Sequence, residues 1–154
     1  MREILFKAKR VDNGEWVEGY LFDNGFGGEE KKYFTGGLII EKYNGTACDE
    51  WDITGIDFCE INPETLCQFT GLYDKNGNRI WENDILKMWF DEYAQVKFGF
   101  YNTGFEIGNY NQGFYVAFSE DSYYRHELGY WCKESYVIGN IFDNKELLQE
   151  ETDE

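Results

Sequence analysis

Three oxygen-bearing side chains alternate in the stretch DKNGN, where Asp74, Asn76 and Asn78 follow the spacing of ligands in a calcium loop. An EF-hand loop also needs a glycine at its sixth position and a bidentate glutamate at its twelfth. Counted from Asp74, those positions hold Arg79 and Ile85. The stretch therefore fails the calcium pattern, and its central Asn-Gly step between two apolar runs favours a β-hairpin.

The other side chains that could do chemistry match no catalytic motif. His126 is the single histidine and is flanked by charged residues, which indicates a surface position without the positioned partner that a general base needs. The four cysteines lack the paired CxxC spacing of a zinc site and are predicted to be free, mostly buried thiols. They are Cys48, Cys59, Cys67 and Cys132.

Acidic and glycine-rich stretches are also poor candidates for a site. Asp49, Glu50 and Asp52 could reach a cation together, but a chain this acidic produces such groups on its solvated surface. The run from Gly25 to Gly28 is followed by two glutamates, which would repel a phosphate, and no P-loop or GxSxG motif is present. We therefore expect no catalytic residue, no metal and no cofactor.

The charge balance restricts the classes of partner. The 154 residues include 30 acidic and 14 basic side chains, for a net charge of -16, and residues 143–154 alone hold six acidic residues and one lysine. Such a surface repels phosphate backbones, so nucleic acid is not an expected partner. An aromatic content of 19% still allows a folded core. Since no membrane-spanning run or signal peptide is seen, we expect a protein of the cytoplasm without a membrane partner.

Short strands are the elements expected to position these residues. Seventeen glycines, one proline and many aromatic and β-branched residues punctuate the chain, which is typical of antiparallel β structure. We predict an N-terminal β lobe at residues 1–64 packed on a small β-barrel at residues 65–142. The barrel would carry a long insertion near residues 119–135, and residues 143–154 would form a short helix and an acidic tail.

Local signals place the turns and caps of these regions. The run from Asp12 to Gly14 predicts the first hairpin turn. A barrel strand is predicted over residues 104–107. Asp143 and Glu146 have the spacing of a capping box at the start of the C-terminal helix.

Three stretches together resemble the YopX-like family of phage and prophage proteins. They are MREILFKAKRVDNGEWVEGYL at 1–21, QFTGLYDKNGNRIWENDIL at 68–86 and YVIGNIFDNKELL at 136–148. The middle stretch follows the family pattern TGLxDKNGxxIYEGDIV, with Trp81 at the tyrosine position and Asn83 at the glycine. Because glycine and asparagine both tolerate a left-handed backbone, Asn83 is predicted to form a second tight turn. The resemblance implies a mainly β fold with an SH3-like barrel, the cytoplasm of a bacterial host, and no established reaction.

Aromatic residues exceed what a small barrel core can hold, so some must be exposed, and Tyr and Trp favour interfaces. We therefore expect a non-enzymatic, acidic interaction protein that self-associates and engages basic host or phage proteins. The candidate interaction surface comprises Tyr123, Tyr124, Tyr130 and Trp131.

Two alternatives stay open. One is an uncharacterised enzyme. The other is a small barrel that binds nucleic acid through exposed aromatics. The second would require Lys7, Lys9 and Arg10, or Lys31 and Lys32, to converge with aromatic side chains on one face.

Overall fold

The computed structural model describes residues 1–42, 51–103, 108–118 and 125–149. The chain is mainly β and its paired strands are antiparallel, so the predicted fold class is confirmed. It divides into two compact units. The N-terminal unit is Ile4–Gln68, and the C-terminal unit combines Met1–Glu3 with Phe69–Glu154.

Four strands build the N-terminal unit. They are β1 (Phe6–Lys9), β2 (Trp16–Asp23), β3 (Tyr33–Lys42) and β4 (Trp51–Ile61), with short 3-10 helices at Gly28–Glu30 and Pro63–Thr65. Their hydrogen-bonded order is β4-β3-β2-β1. The predicted first hairpin is confirmed: the N–H of Gly14, which has a φ of +71°, donates to the carbonyl of Arg10 at 3.0 Å.

The core of the N-terminal unit lies on one face of this sheet. Ala8 has no exposed surface, and Ile61 and Thr35, which share its face, expose 1% and 2%. The N–H of Lys9 donates to Thr65 Oγ1 at 2.8 Å, which fixes the 3-10 turn against β1.

Six further strands and one helical turn follow. They are β5 (Cys67–Tyr73), β6 (Arg79–Trp81), β7 (Asp84–Met88), β8 (Tyr93–Asn102), β9 (Tyr110–Ala117), α1 (Leu128–Trp131) and β10 (Ser135–Asn140), with 3-10 helices at Cys132–Glu134 and Lys145–Leu148. The first residues of β5 pair with β1, and its later residues pair with β6. The other strands form a sheet in the order β10-β7-β8-β9. None of the described helices has the length and apolar character to cross a membrane.

The core of the C-terminal unit draws on both its strands and α1. Because Leu128, Trp131 and Cys132 follow the spacing of one helix face, α1 and the turn after it bury all three. The later part of the segment predicted as an insertion thus fills the core. The buried cluster consists of Ile80, Leu86, Met88, Ala94, Val96, Val116, Leu128, Trp131 and Cys132.

The described part of the four-stranded sheet does not establish the predicted SH3-like barrel. In the part of the chain that the structure describes, β10 and β9 are the two ends of the sheet, which is therefore open. The strand predicted over residues 104–107 lies outside the described residues. The SH3-like barrel stays a prediction.

The two local predictions around tight turns have different outcomes. Asn83 has a φ of +68°, which confirms the predicted left-handed turn. The capping box is wrong: the C-terminal helix is one 3-10 turn that starts after Asn144, and the N–H of Asp143 donates to Asn140 Oδ1 at 3.0 Å instead of to Glu146. A single turn starting one residue later leaves Asp143 outside the cap position.

The three cysteines in the described residues confirm the prediction of free, mostly buried thiols. Cys67 and Cys132 are buried, Cys59 is half-buried, and all three are free. Burial raises the pKa of the Cys59 thiol, which keeps it protonated at neutral pH. Cys48 lies outside the described residues.

Candidate interaction surface

One face of the sheet formed by β2, β3 and β4 carries large apolar side chains on all three strands. In the register, Phe22 lies opposite Phe34, and Leu38 lies opposite Ile56. Opposed residues of an antiparallel pair share a face, and every second residue along a strand returns to it. We call this set the apolar face. Its members are Tyr20, Phe22, Phe34, Leu38, Ile40, Trp51, Ile53, Ile56 and Phe58.

Most of these side chains are exposed to solvent. Tyr20 exposes 64% of its surface, Trp51 63%, Ile56 60% and Phe58 52%. Taking roughly 200 Å² for one large side chain, the exposed parts of the apolar face total on the order of 800 Å². One partner in a standard protein–protein interface buries about 800 Å². The apolar face is thus as large as one side of a stable interface.

An aromatic cluster fixes one end of the apolar face. The rings of Phe22 and Phe34 stack with centroids 5.9 Å apart, and Phe58 meets both edge-on at 5.7 and 5.5 Å. Edge-to-face and offset aromatic pairs stabilise one another beyond the area that they bury. The three rings therefore hold one another in place on the surface of the sheet.

Two glycines allow the strands to approach closely at the middle of this face. A Cβ added at Gly36 would overlap the backbone of Asp57, and one added at Gly19 would overlap the backbone of Gly36. In the register Gly36 lies between Tyr20 and Phe58, and any side chain there would overlap the backbone of β4. The two glycines are therefore needed for the close approach of β2, β3 and β4.

The opposite face of the same sheet is already covered at its base. Thr35 and Ile61, which point away from the apolar face, expose 2% and 1% of their surface. An antiparallel sheet usually has one apolar and one polar face. Exposed apolar patches of this size are typical of interaction sites, which makes this face the candidate surface.

The surface predicted from the sequence is not the apolar face, and the structure describes only part of it. Tyr123 and Tyr124 lie outside the described residues, and Tyr130 is 52% exposed. The prediction of Trp131 as a surface residue is wrong, because its side chain is 6% exposed and its Nε1–H donates to the carbonyl of Arg125 at 2.6 Å. Its helical spacing with Leu128 could have revealed this burial.

Basic residues from two separate sequence runs meet in the N-terminal unit. Lys9, Arg10, Lys31 and Lys32 line a cleft of about 490 Å³, which we call the basic cleft. Tyr33 also lines it, and the ammonium of Lys31 lies 5.3 Å from the centre of the Tyr33 ring. The nucleic-acid alternative required basic residues such as Lys31 and Lys32 to meet an aromatic side chain on one face. The basic cleft has this arrangement.

Carboxylates contact Arg10, Lys31 and Lys32. The nitrogen–oxygen distances are 2.6 Å from Arg10 to Asp12, 3.5 Å from Lys31 to Asp23 and 3.1 Å from Lys32 to Glu60. The hydrogen bond from Arg10 lowers the pKa of the Asp12 carboxyl. The pKa of Asp23 is lowered first by the N–H of Gly25 and then by Lys31. The basic cleft is therefore close to neutral inside an acidic protein.

The DKNGN stretch is a hairpin between β5 and β6, and Gly77 has a φ of +82°. Asp74 is 5% exposed, and its Oδ1 accepts hydrogen bonds from the N–H groups of Asn76 and Asn78 at 2.8 and 2.9 Å. Its Oδ2 accepts from the N–H of Val137 at 3.0 Å. Both carboxylate oxygens face donors, which is a structural arrangement and not that of a metal ligand. Across the described ranges, no three His, Cys, Asp or Glu side chains are grouped to hold a metal ion.

His126 is half-buried beside β9, not on an open surface. Its Nδ1 lies 3.0 Å from the carbonyl oxygen of Val116, and its ring packs 6.0 Å from that of Phe118. The backbone N–H of Val116 donates to the carbonyl of His126 at 2.8 Å. The imidazole is thus engaged in attaching this segment to β9.

Comparison with known proteins adds the family. The sequence profile of the family described as YopX protein matches residues 6–149, nearly the whole chain. The chain belongs to the YopX family. A crystal structure of protein EF1440 from Enterococcus faecalis is similar to this YopX-family chain with a TM-score of 0.50 and 22% identity, over 97% of this chain and 100% of that one. At this identity the likeness concerns the fold. The search of curated proteins gave no match.

The stretch most similar to the YopX family pattern has an architectural role here. The buried carboxylate of Asp84 accepts the N–H of Trp81 at 2.8 Å, and the N–H of Asn83 donates to the carbonyl of Val96 at 2.8 Å. With Asp74, these residues join two tight turns to neighbouring strands. The family motif thus specifies turns, and the apolar face lies elsewhere, in β2, β3 and β4.

Proposed function

We propose that this YopX-family protein is a protein-interaction module without catalytic activity, and that it self-associates by packing its apolar face against that of a second copy. The observation that carries the proposal is the exposure of this face on a sheet whose opposite side already supplies a core. Burial of apolar surface is the main driving force of such association.

A second copy is the expected partner of this face because two identical apolar faces can pack against each other. Two apolar faces related by a two-fold axis would bury on the order of 1,600 Å², the size of a standard interface. In the register, Glu60 lies opposite Phe34 and Lys42 lies opposite Trp51, so the charged positions of this face are at its two ends. Glu60 already contacts Lys32 at 3.1 Å, so contact between copies would not leave its carboxylate unpaired. The net charge of -16 on each copy opposes association at longer range.

Salt dependence follows from this balance. Added salt screens repulsion between two acidic copies, while apolar contact persists. Self-association is therefore expected to strengthen between low and moderate NaCl concentrations. An interface held by opposite charges would weaken over the same range.

A matched pair of variants tests the interface. Ile56 and Ile4 are both exposed, by 60% and 56%, but only Ile56 belongs to the apolar face. Ile56→Asp places a carboxylate in the interface and is expected to weaken self-association about ten-fold or more, whereas Ile4→Asp changes it little. Sedimentation velocity over a concentration series measures both dissociation constants. Equal effects of the two variants, or none, would overturn the proposal.

Basic host or phage proteins are proposed as further partners, in the cytoplasm of the bacterial host. The acidic surface supports this, since charge complementarity speeds encounter with cationic surfaces. Co-purification from host lysate at low salt, followed by elution at high salt, is expected to release basic proteins. Recovery of the protein alone would contradict this second proposal and leave self-association unaffected.

Nucleic acid is a weaker candidate. The basic cleft offers cations and an aromatic ring, but Arg10, Lys31 and Lys32 each already contact a carboxylate. Neutralising phosphates would require those contacts to be replaced within a strongly acidic chain. Nucleic acid in the same eluate, seen as excess absorbance at 260 nm, would favour this alternative.

A further inference from the structure

We propose that the outer edge of β4 binds an extended segment of a partner protein in which apolar and basic residues alternate. The segment pairs with β4 through main-chain hydrogen bonds, as one more antiparallel strand of the sheet. This inference rests on the proposed interaction with basic proteins, and it names the surface they contact and the kind of segment they present. Self-association through the apolar face is a separate contact.

Among the described strands, β4 lies at the end of its sheet, and β3 pairs with only one of its two edges. In the described chain the other edge is occupied at its base, where the N–H of Val11 donates to the carbonyl of Glu60 at 3.1 Å. Beside it, the N–H of Asn62 donates to the carbonyl of Lys9 at 2.9 Å. This bridge is antiparallel. The protein itself thus shows that the edge accepts antiparallel pairing.

Main-chain groups along the rest of this edge point outward at alternate residues. Because the carbonyl of Glu60 faces outward, the N–H and C=O groups of Phe58 and Ile56 face the same way. The residue between them has the opposite direction, since a Cβ added at Gly36 on β3 would overlap the carbonyl oxygen of Asp57. None of the described residues pairs with the outward groups of Phe58 and Ile56. The edge therefore offers donors and acceptors to a further strand.

Side chains along β4 determine which segment fits. In an added strand, residues opposite Ile56 and Phe58 lie on the apolar face, because directly opposed residues share a face of the sheet. Asp57 and Asp52 alternate with members of the apolar face, so they lie on the other face. The fitting segment therefore alternates apolar residues with residues that lie beside these carboxylates.

Charge selects basic residues for those intervening positions. Asp57 and Asp52 are exposed, and no cation among the described side chains forms an ion pair with either. Cross-strand pairs of opposite charge stabilise a sheet, and like charges directly opposite destabilise it. A second copy of β4 paired here would place two more carboxylates on the same face. The carboxylates thus favour a basic strand over a second copy of β4 at this edge.

Hydrogen exchange with a designed peptide tests the pairing. The peptide KVKVKVK, acetylated and amidated, is added to the full-length protein in moderate salt, and amide exchange is followed by NMR. Exchange of the Ile56 and Phe58 amides is expected to slow about ten-fold or more, because both N–H groups gain acceptors. The peptide KKVVVKK has the same composition without the alternation. It controls for general attraction to an acidic surface and is expected to leave both amides unchanged.

N-methylation of the peptide separates main-chain pairing from side-chain contact. In the proposed arrangement the N–H groups of the valines face β4, as the N–H of Val11 does at the base of the edge. Methylating two valine nitrogens is expected to weaken binding about ten-fold or more, since two donors are removed. Methylating two inner lysine nitrogens, which face solvent, is the matched control. It is expected to change binding less than about three-fold.

Paired substitutions in the protein test the charge selection. Asp57→Asn with Asp52→Asn keeps the size of both side chains and is expected to weaken binding of the alternating peptide about five-fold or more. Glu29→Gln with Glu64→Gln removes the same charge from exposed positions outside β4. This control pair is expected to change binding less than about two-fold in moderate salt.

The outcomes are distinct. Unchanged exchange of the Ile56 and Phe58 amides with the alternating peptide would overturn the inference, as would equal weakening by the two methylations or by the two pairs of substitutions. Slowed exchange in a protein that keeps the mass of one chain at every concentration would contradict self-association alone and support the edge site. Slowed exchange together with recovery of the protein alone from host lysate would contradict the proposed basic partners and support the edge site.

Discussion

The carboxylate of Asp74 accepts a hydrogen bond from the backbone N–H of Val137, 63 residues further along the chain, at a distance of 3.0 Å. The same side chain holds the N–H groups of Asn76 and Asn78 within its own turn. One buried residue therefore joins the β5–β6 hairpin to β10. The spacing that first suggested calcium ligands serves backbone hydrogen bonding.

Replacing Asp74 with Ala is expected to lower the free energy of unfolding by about 3 kcal/mol, because several N–H groups lose their acceptor in a poorly solvated position. Urea denaturation measures the change. Asp12→Ala, at an exposed ion pair, is the control and is expected to have little effect. Both proteins should melt at the same temperature with and without calcium. A calcium-dependent stabilisation abolished by Asp74→Ala would contradict the structural role.

Stability should fall in acid partly through Asp74. Burial of this carboxyl opposes ionisation, but the hydrogen bonds from Val137, Asn78 and Asn76 outweigh burial and place its pKa below the ordinary value. The stabilisation is therefore complete above an unfolded-state pKa of about 4 and is lost as pH falls through the lower folded-state pKa. Unfolding free energies of wild type and Asp74→Asn should converge in that window. A constant difference down to the lowest pH would contradict this.

Gly77→Val is expected to impair folding, because Gly77 has a φ of +82°, a conformation that a β-branched residue rarely adopts. Gly27→Val is a suitable control. Gly27 has an extended backbone with a φ of -112°, and a Cβ there meets no neighbour within 4 Å. Thermal melting followed by circular dichroism compares the two. Similar melting temperatures for both variants would argue against a strained turn.

Thr35→Val is expected to stabilise the protein by about 1 kcal/mol. The Thr35 hydroxyl is buried with no hydrogen-bond partner in the described part of the chain, and valine replaces it with a methyl group of similar shape. Thr70→Val provides the opposite case, since Thr70 Oγ1 donates to the carbonyl of Ile80 at 2.7 Å, and should destabilise. Chemical denaturation measures the change in unfolding free energy of each variant and so gives the sign of each effect. Destabilisation by Thr35→Val would indicate a missed partner.

Local features were predictable because their causes are local. The Asn76-Gly77 turn and the left-handed Asn83 follow from backbone sterics, which a few residues determine. The charged sequence neighbours of Trp131 indicated a surface position, and that prediction is wrong. Its three-residue spacing from Leu128 places both side chains on the buried face of α1.

The two candidate surfaces needed the register of distant strands. The strand β3 carries Leu38, Ile39 and Ile40 in succession, so its sequence does not reveal which face will be covered or that these side chains are exposed. The basic cleft likewise depends on long-range pairing. Tyr33 lies opposite Ile61, and Arg10 bridges Ile61 from another part of the chain.

Light scattering coupled to size-exclusion chromatography, on the unmodified protein over a range of loading concentrations, tests self-association most directly. We predict a molar mass that rises toward twice that of one chain as concentration increases, and more readily at moderate than at low salt. A mass of one chain at every concentration and salt level would contradict the assignment of the apolar face to a second copy.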